Sequence, residues 1–97
     1  MSETHTIELE TTPKGGVFYV EVSGERVARI LWDRIPEGMD IRSTSADESM
    51  RGTGIARKLV AEAVAHARKE DWKIRATCPY ANKVISGDDA TASLLID

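Results

Sequence analysis

The hydrophobic period of this chain changes at Gly54, and that change limits the folds open to it. Ahead of it, apolar residues alternate along short runs; directly after it, they recur with helical spacing. In Val17–Val22, Phe18, Val20 and Val22 share one face, and Val17, Tyr19 and Glu21 the other. Ser23-Gly24 gives a two-residue hairpin signal. Val27–Trp32 places Ala28, Ile30 and Trp32 on one side. Pro36-Glu37-Gly38 marks a second turn, and Met39–Ser43 begins a third strand running to about residue 45. Residues 1–14, closed by Pro13, Lys14, Gly15 and Gly16, read as a short edge strand or flexible N-terminus followed by a turn.

From Ile55, the residues Ile55, Ala56, Leu59, Val60, Ala63, Val64 and Ala67 fall on one half of a helical wheel. Arg57, Lys58, Glu62, Arg68 and Lys69 fall on the other, so an amphipathic helix of about four turns is expected. His66 lies at the margin of the apolar stripe and is given no role. Trp72–Cys78 returns to period two, with Trp72, Ile74, Ala76 and Cys78 on one face, and Pro79 ends that strand. Tyr80–Ile85 reads as a short helix, 86–88 as a turn, and Ala90–Ile96 as a last helical segment capped by Asp88 or Asp89. A strand that follows a helical crossover is expected to lie parallel to the strand at 39–45.

With 97 residues, 41% hydrophobic and 30% charged, the expectation is a single compact domain over 1–97 of α/β (α+β mixed-sheet) class. No apolar run approaches the roughly 20 residues of a membrane helix, and the start lacks a signal-peptide core, so a cytoplasmic location is expected. One cysteine makes no internal disulfide, and His5 and His66 give no zinc spacing. The net charge of −3 argues against nucleic acid as a partner. It is unevenly spread: residues 1–50 are acidic, whereas 51–75 carry seven basic and three acidic side chains. That basic segment suits one small polyanion, or is simply a solvated helix face.

The basic segment opens with Met50-Arg51-Gly52-Thr53-Gly54-Ile55-Ala56-Arg57, where strand gives way to helix. The first turn of a helix leaves N–H groups without partners and carries partial positive charge, an arrangement suited to phosphates. Arg51, Arg57 and Lys58 add full charges nearby. No Lys-Ser/Thr follows the glycines as in a Walker loop, and the dinucleotide spacing breaks at Arg57. By itself a Gly-x-Gly turn before a helix is a weak signal.

Arg51-x-x-Gly54-x-Ala56 resembles the Q/R-x-x-G-x-G/A signature of the Gcn5-related N-acetyltransferases. With Cys78-Pro79-Tyr80 after the following strand, the chain from about Phe18 to Ile96 is similar to the minimal one-domain branch of that superfamily. The resemblance implies an antiparallel β-meander, a helix, a parallel strand and short C-terminal helices. It also implies acetyl transfer from acetyl-CoA to an amine, with the pyrophosphate held by Arg51, Gly52, Thr53, Gly54, Ile55, Ala56 and Arg57. Thr44, Ser45 and Ala46 would contact the pantetheine arm or polarise the thioester through the backbone, and Asn82 and Lys83 would reach the coenzyme chain or its phosphates. Two segments differ from the relatives: Ser43-Thr44-Ser45-Ala46-Asp47 stands where a His/Thr-Thr-Glu-Val-like stretch is common. Ser86-Gly87-Asp88-Asp89 stands where a His-Pro-Glu-Tyr-like one is.

For Cys78 three roles stay open: a thiolate that attacks the thioester, an acid for the departing sulfur, or a small hydrophobe lining the slot. Tyr80 is either a second acid or aromatic packing, and Asp47 and Glu48 are the nearest acids for deprotonating the amine or plain loop residues. The alternatives to an enzyme are a non-catalytic acyl-CoA-binding module and an interaction domain that binds no ligand. The amine acceptor, protein or small molecule, is not legible.

Overall fold

A computed structural model describes residues 6–96. Four consecutive strands, β1 (Glu8–Thr12), β2 (Gly15–Val22), β3 (Glu25–Ile35) and β4 (Gly38–Ala46), pair antiparallel in chain order. A single 3-10 turn, Glu48–Met50, leads to α1 (Ile55–Glu70). This helix is the crossover that lets β5 (Lys73–Ala76) join β4 in parallel. Helices α2 (Pro79–Ser86) and α3 (Asp89–Ala92) complete the described chain.

The alternating and helical patterns meet in one core. Ile30, Met39, Ile41, Leu59, Ala63, Ala67, Ile74, Ala81 and Ile85 have no exposed surface, and each large member contributes about 1.5–3 kcal/mol over an exposed position. The charged residues of α1 lie on its outer side. Arg68 and Lys69 sit in its last turn, where cations favour the helix dipole. His66 packs its ring among Phe18, Trp32 and Trp72, with centroids 5.2–5.9 Å away.

Two bulges adjust the faces. The β2–β3 register slips between Val20 and Glu21, leaving Val27 as the extra residue of β3; Val22, expected to share the inner face with Phe18 and Val20, is exposed in the last pair before the hairpin turn. A bulge places one extra residue on one strand and re-aims the side chains beyond it. The β3–β4 register slips between Leu31 and Trp32, leaving Arg42 as the extra residue of β4.

The expected helix over 90–96 is corrected: α3 stops at Ala92, and the chain turns back beside β5. Ile74 N–H donates to the Leu94 carbonyl and Ile96 N–H to the Ile74 carbonyl, both at 2.8 Å, and Leu95 bridges Ile74 in parallel. Continuing the helix would have left Ile74, which has no exposed surface, with unpaired main-chain groups, a cost the sheet edge avoids by recruiting this segment. Asp88 does cap α3, its Oδ1 accepting from Ala90 N–H at 2.9 Å.

Candidate functional site

The parallel pairing of β4 and β5 covers only Gly38–Ile41 against Lys73–Ala76. Beyond it, β4 continues along β3 to Ala46, while the other chain passes through Thr77 and Cys78 into α2. The last link is Cys78 N–H to the Ile41 carbonyl, 2.9 Å. Two parallel strands that part company in this way open a slot between the fourth and fifth strands of the sheet.

The glycine turn stands beside that slot. Gly52 and Gly54 have φ of +82° and +74°, and a Cβ built on either meets nothing within 4 Å. Positive φ is costly for most residues and free for glycine; the empty surroundings leave the turn open to solvent. Thr53 holds its shape, donating its hydroxyl to the Met50 carbonyl at 2.6 Å and accepting from Ile55 N–H at 3.2 Å. The first helical bond runs from Lys58 N–H to the Gly54 carbonyl. Among the described residues, the N–H groups of Gly52, Gly54, Ala56 and Arg57 have no partner, and no side chain caps α1. No acidic residue lies in its first turn. The donors, the dipole and the flanking arginines together form an anion cradle.

The cradle is one wall of a cleft of about 700 Å³. Arg51, Gly52, Gly54, Ile55, Ala56 and Arg57 line it together with Ala46, Asp47, Glu48, Met50 and Tyr80. Sequence reading passed over Met50, which is buried and serves as floor; its place in the motif was the signal. A second cleft of about 840 Å³ shares Arg57 and Tyr80 and adds Lys83, Asp88 and Asp89. Of the other residues singled out, Thr44 lies inward opposite Ile30 and faces Cys78. Ser45 pairs with Arg29 and is exposed. Asn82 lines neither cleft and gives its N–H to the Cys78 carbonyl.

Cys78 is buried at the N-terminal end of α2, directly before Pro79, and does not line the main cleft. Its Sγ lies 3.5 Å from Thr44 Oγ1 across the gap between the diverging chains. Burial pushes the thiol up, but hydrogen bonding with the Thr44 side chain and with the backbone at Ala81, Tyr80 and Thr44 outweighs it, leaving the pKa below its ordinary value. Such depression is usual for a cysteine at a helix N-terminus. Asp40, also missed, is the buried charged residue of β4; an acid between Met39 and Ile41 was its signal. No group of three His, Cys, Asp or Glu side chains among the described residues is placed to hold a metal.

The fold is thus a mixed five-stranded sheet whose last two strands diverge, with unpartnered amides at the start of its crossover helix. A family model described as GCN5-related N-acetyl-transferase matches residues 17–94, and the chain belongs to that family of N-acetyltransferases. A GCN5-like protein from Staphylococcus aureus, solved in solution, superposes with a TM-score of 0.67 at 24% identity, over 92% of this chain and 87% of that one. The ribosomal-protein-alanine N-acetyltransferase of Brucella melitensis biovar Abortus 2308 gives 0.62 at 18% identity, over 89% of this chain. This chain spans 64% of the length of the Brucella protein. At these identities both share the fold. A comparison with curated protein sequences returned no match. No helix among the described residues is long and apolar enough to cross a membrane.

Proposed function

We propose that residues 1–97 form one domain that transfers an acetyl group from acetyl-CoA to an amine. The observation that carries this reading is the set of unpartnered amides at Gly52, Gly54, Ala56 and Arg57, opening on a cleft beside the slot between β4 and β5. These amides, with Arg51 and Arg57, would hold the coenzyme's diphosphate. The pantetheine arm would run toward the slot, where a main-chain N–H at Thr44, Ser45 or Ala46 would polarise the thioester carbonyl as charge develops. Lys83, in the adjoining cleft, would meet an outer phosphate.

Cys78 is the nucleophile in this reading, because its thiol is shifted toward the thiolate and sits against Thr44 across the gap between the diverging chains. Its sulfur bonds to the thioester carbon, the bond from that carbon to the coenzyme's sulfur breaks, and the coenzyme leaves as a thiolate. An unprotonated amine then takes the acetyl group, regenerating the Cys78 thiolate and releasing one proton to water. Asp47 or Glu48 would assist that proton's departure, and Tyr80, on the same cleft, would be an acid for the departing coenzyme sulfur.

At about 100 times its dissociation constant, acetyl-CoA should stabilise the chain by about 2.7 kcal/mol in a thermal unfolding assay. Incubation should give an adduct of one acetyl group by intact mass that is absent from Cys78→Ala, and release of CoA on adding amines. Stabilisation without adduct or release would make the chain a non-catalytic binder; no stabilisation would remove the coenzyme site.

A further inference from the structure

Asp40 has about 4% of its surface exposed, and a carboxylate in such a place costs stability unless its oxygens are bonded. Met39 and Ile41 on either side are wholly buried and belong to the opposite face of the strand. What Asp40 does is reach across the point where β4 and β5 separate. Its Oδ1 accepts from the Thr77 hydroxyl at 2.7 Å and from Thr77 N–H at 3.3 Å. Its Oδ2 meets Arg42 Nη1 at 3.4 Å, and Arg42, the bulge residue of β4, also lies 3.7 Å from Asp33.

Thr77 is the first residue beyond the β4–β5 ladder, and Cys78 is the next. The two are fastened from different parts of β4: Thr77 by the Asp40 carboxylate, and Cys78 by the Ile41 carbonyl and the Thr44 hydroxyl. The chain would otherwise leave β5 held by a single main-chain bond before Pro79. We infer that Asp40 and Thr77 form a positioning latch that fixes where β5 leaves β4 and so sets the Cys78 thiol against Thr44 and the first turn of α2. The inference rests on the reading of Cys78 as the reacting thiol, but its geometry does not require acetyl-CoA.

The test is the rate of Cys78 alkylation by iodoacetamide against pH, in the full chain without coenzyme, with far-UV circular dichroism and urea unfolding alongside. Thr77→Val and Asp40→Ala should each move the alkylation midpoint upward, toward that of the urea-unfolded chain, by about half a pH unit or more. Thr77→Ser, which keeps the hydroxyl, should retain the wild-type profile. The double variant should shift no further than either single one, since both break the same contact. If the variants are folded and less stable but alkylate with the wild-type profile, the pair is structural only and the latch is overturned. Should Asp40→Ala fail to fold, Thr77→Val and Thr77→Ser decide the matter. Absence of an acetyl adduct on the wild-type chain would instead remove the proposed chemistry, a result independent of the alkylation profile.

Discussion

The two ends of the β4–β5 pair use glycine for opposite reasons. At the closed end, a Cβ on Gly38 would lie 2.1 Å from the Lys73 carbonyl oxygen. There the backbones touch, and Trp72, next to Lys73, packs its ring against Trp32 with centroids 5.8 Å apart. At the open end, Gly52 and Gly54 meet nothing, and main-chain donors face solvent. One end is built to exclude everything; the other keeps hydrogen-bonding capacity unspent. Tight backbone packing and open main-chain donors are therefore separated in position: the first lies where β4 meets β5, the second in the turn before α1.

The largest effect should come at the closed end. Gly38→Val should abolish the cooperative urea transition or lower its midpoint severely, because a side chain cannot enter a 2.1 Å gap to a backbone oxygen. Leu59→Ala, beneath the sheet and fully buried, should cost about 3 kcal/mol in urea unfolding while leaving coenzyme affinity intact in the folded fraction. Gly54→Asp should reverse that pattern: about 1 kcal/mol in stability for a positive-φ side chain, but at least about a 100-fold loss of acetyl-CoA affinity by calorimetry. Unchanged affinity would mean that the cradle is not the coenzyme's anchor.

A subtler difference concerns Cys78. Its thiol is lowered in the folded chain, so between the folded and unfolded values the unfolded chain binds more protons and stability rises with pH. The stability difference between wild type and Cys78→Ser should therefore shift in favour of wild type as pH rises through that window, and be constant with pH above the unfolded thiol's value and below the folded one. The smallest effect is expected far from both ends: Arg26→Ala, which breaks an exposed pair with Glu10 on the outer sheet face, should leave the urea midpoint unchanged within error.

Much of this contrast was legible in the sequence, and the reasons differ by region. Alternation in 17–22 and 27–32 located β2 and β3 because one face of each must be buried, and the helical stripe from Ile55 located α1 for the same reason. The glycine turn was readable because helix starts and positive φ leave a local signature. The bulges at Val20/Glu21 and at Arg42 were not readable, since an extra residue is inserted in response to strand pairing. Leu94–Ile96 misled because its composition suits a helix as well as an edge. The unsatisfied main chain of Ile74 chose between them.

Local chemistry thus set the order of elements, the buried faces and the anion-ready start of α1, because each depends on residues near one another in the chain. Tertiary structure alone decided where β4 and β5 separate, that Asp40 meets Thr77, and that Cys78 faces Thr44. Those contacts join residues 34 and 37 positions apart. They form only when the crossover helix lays β5 beside β4, which fixes a distance that no local pattern encodes.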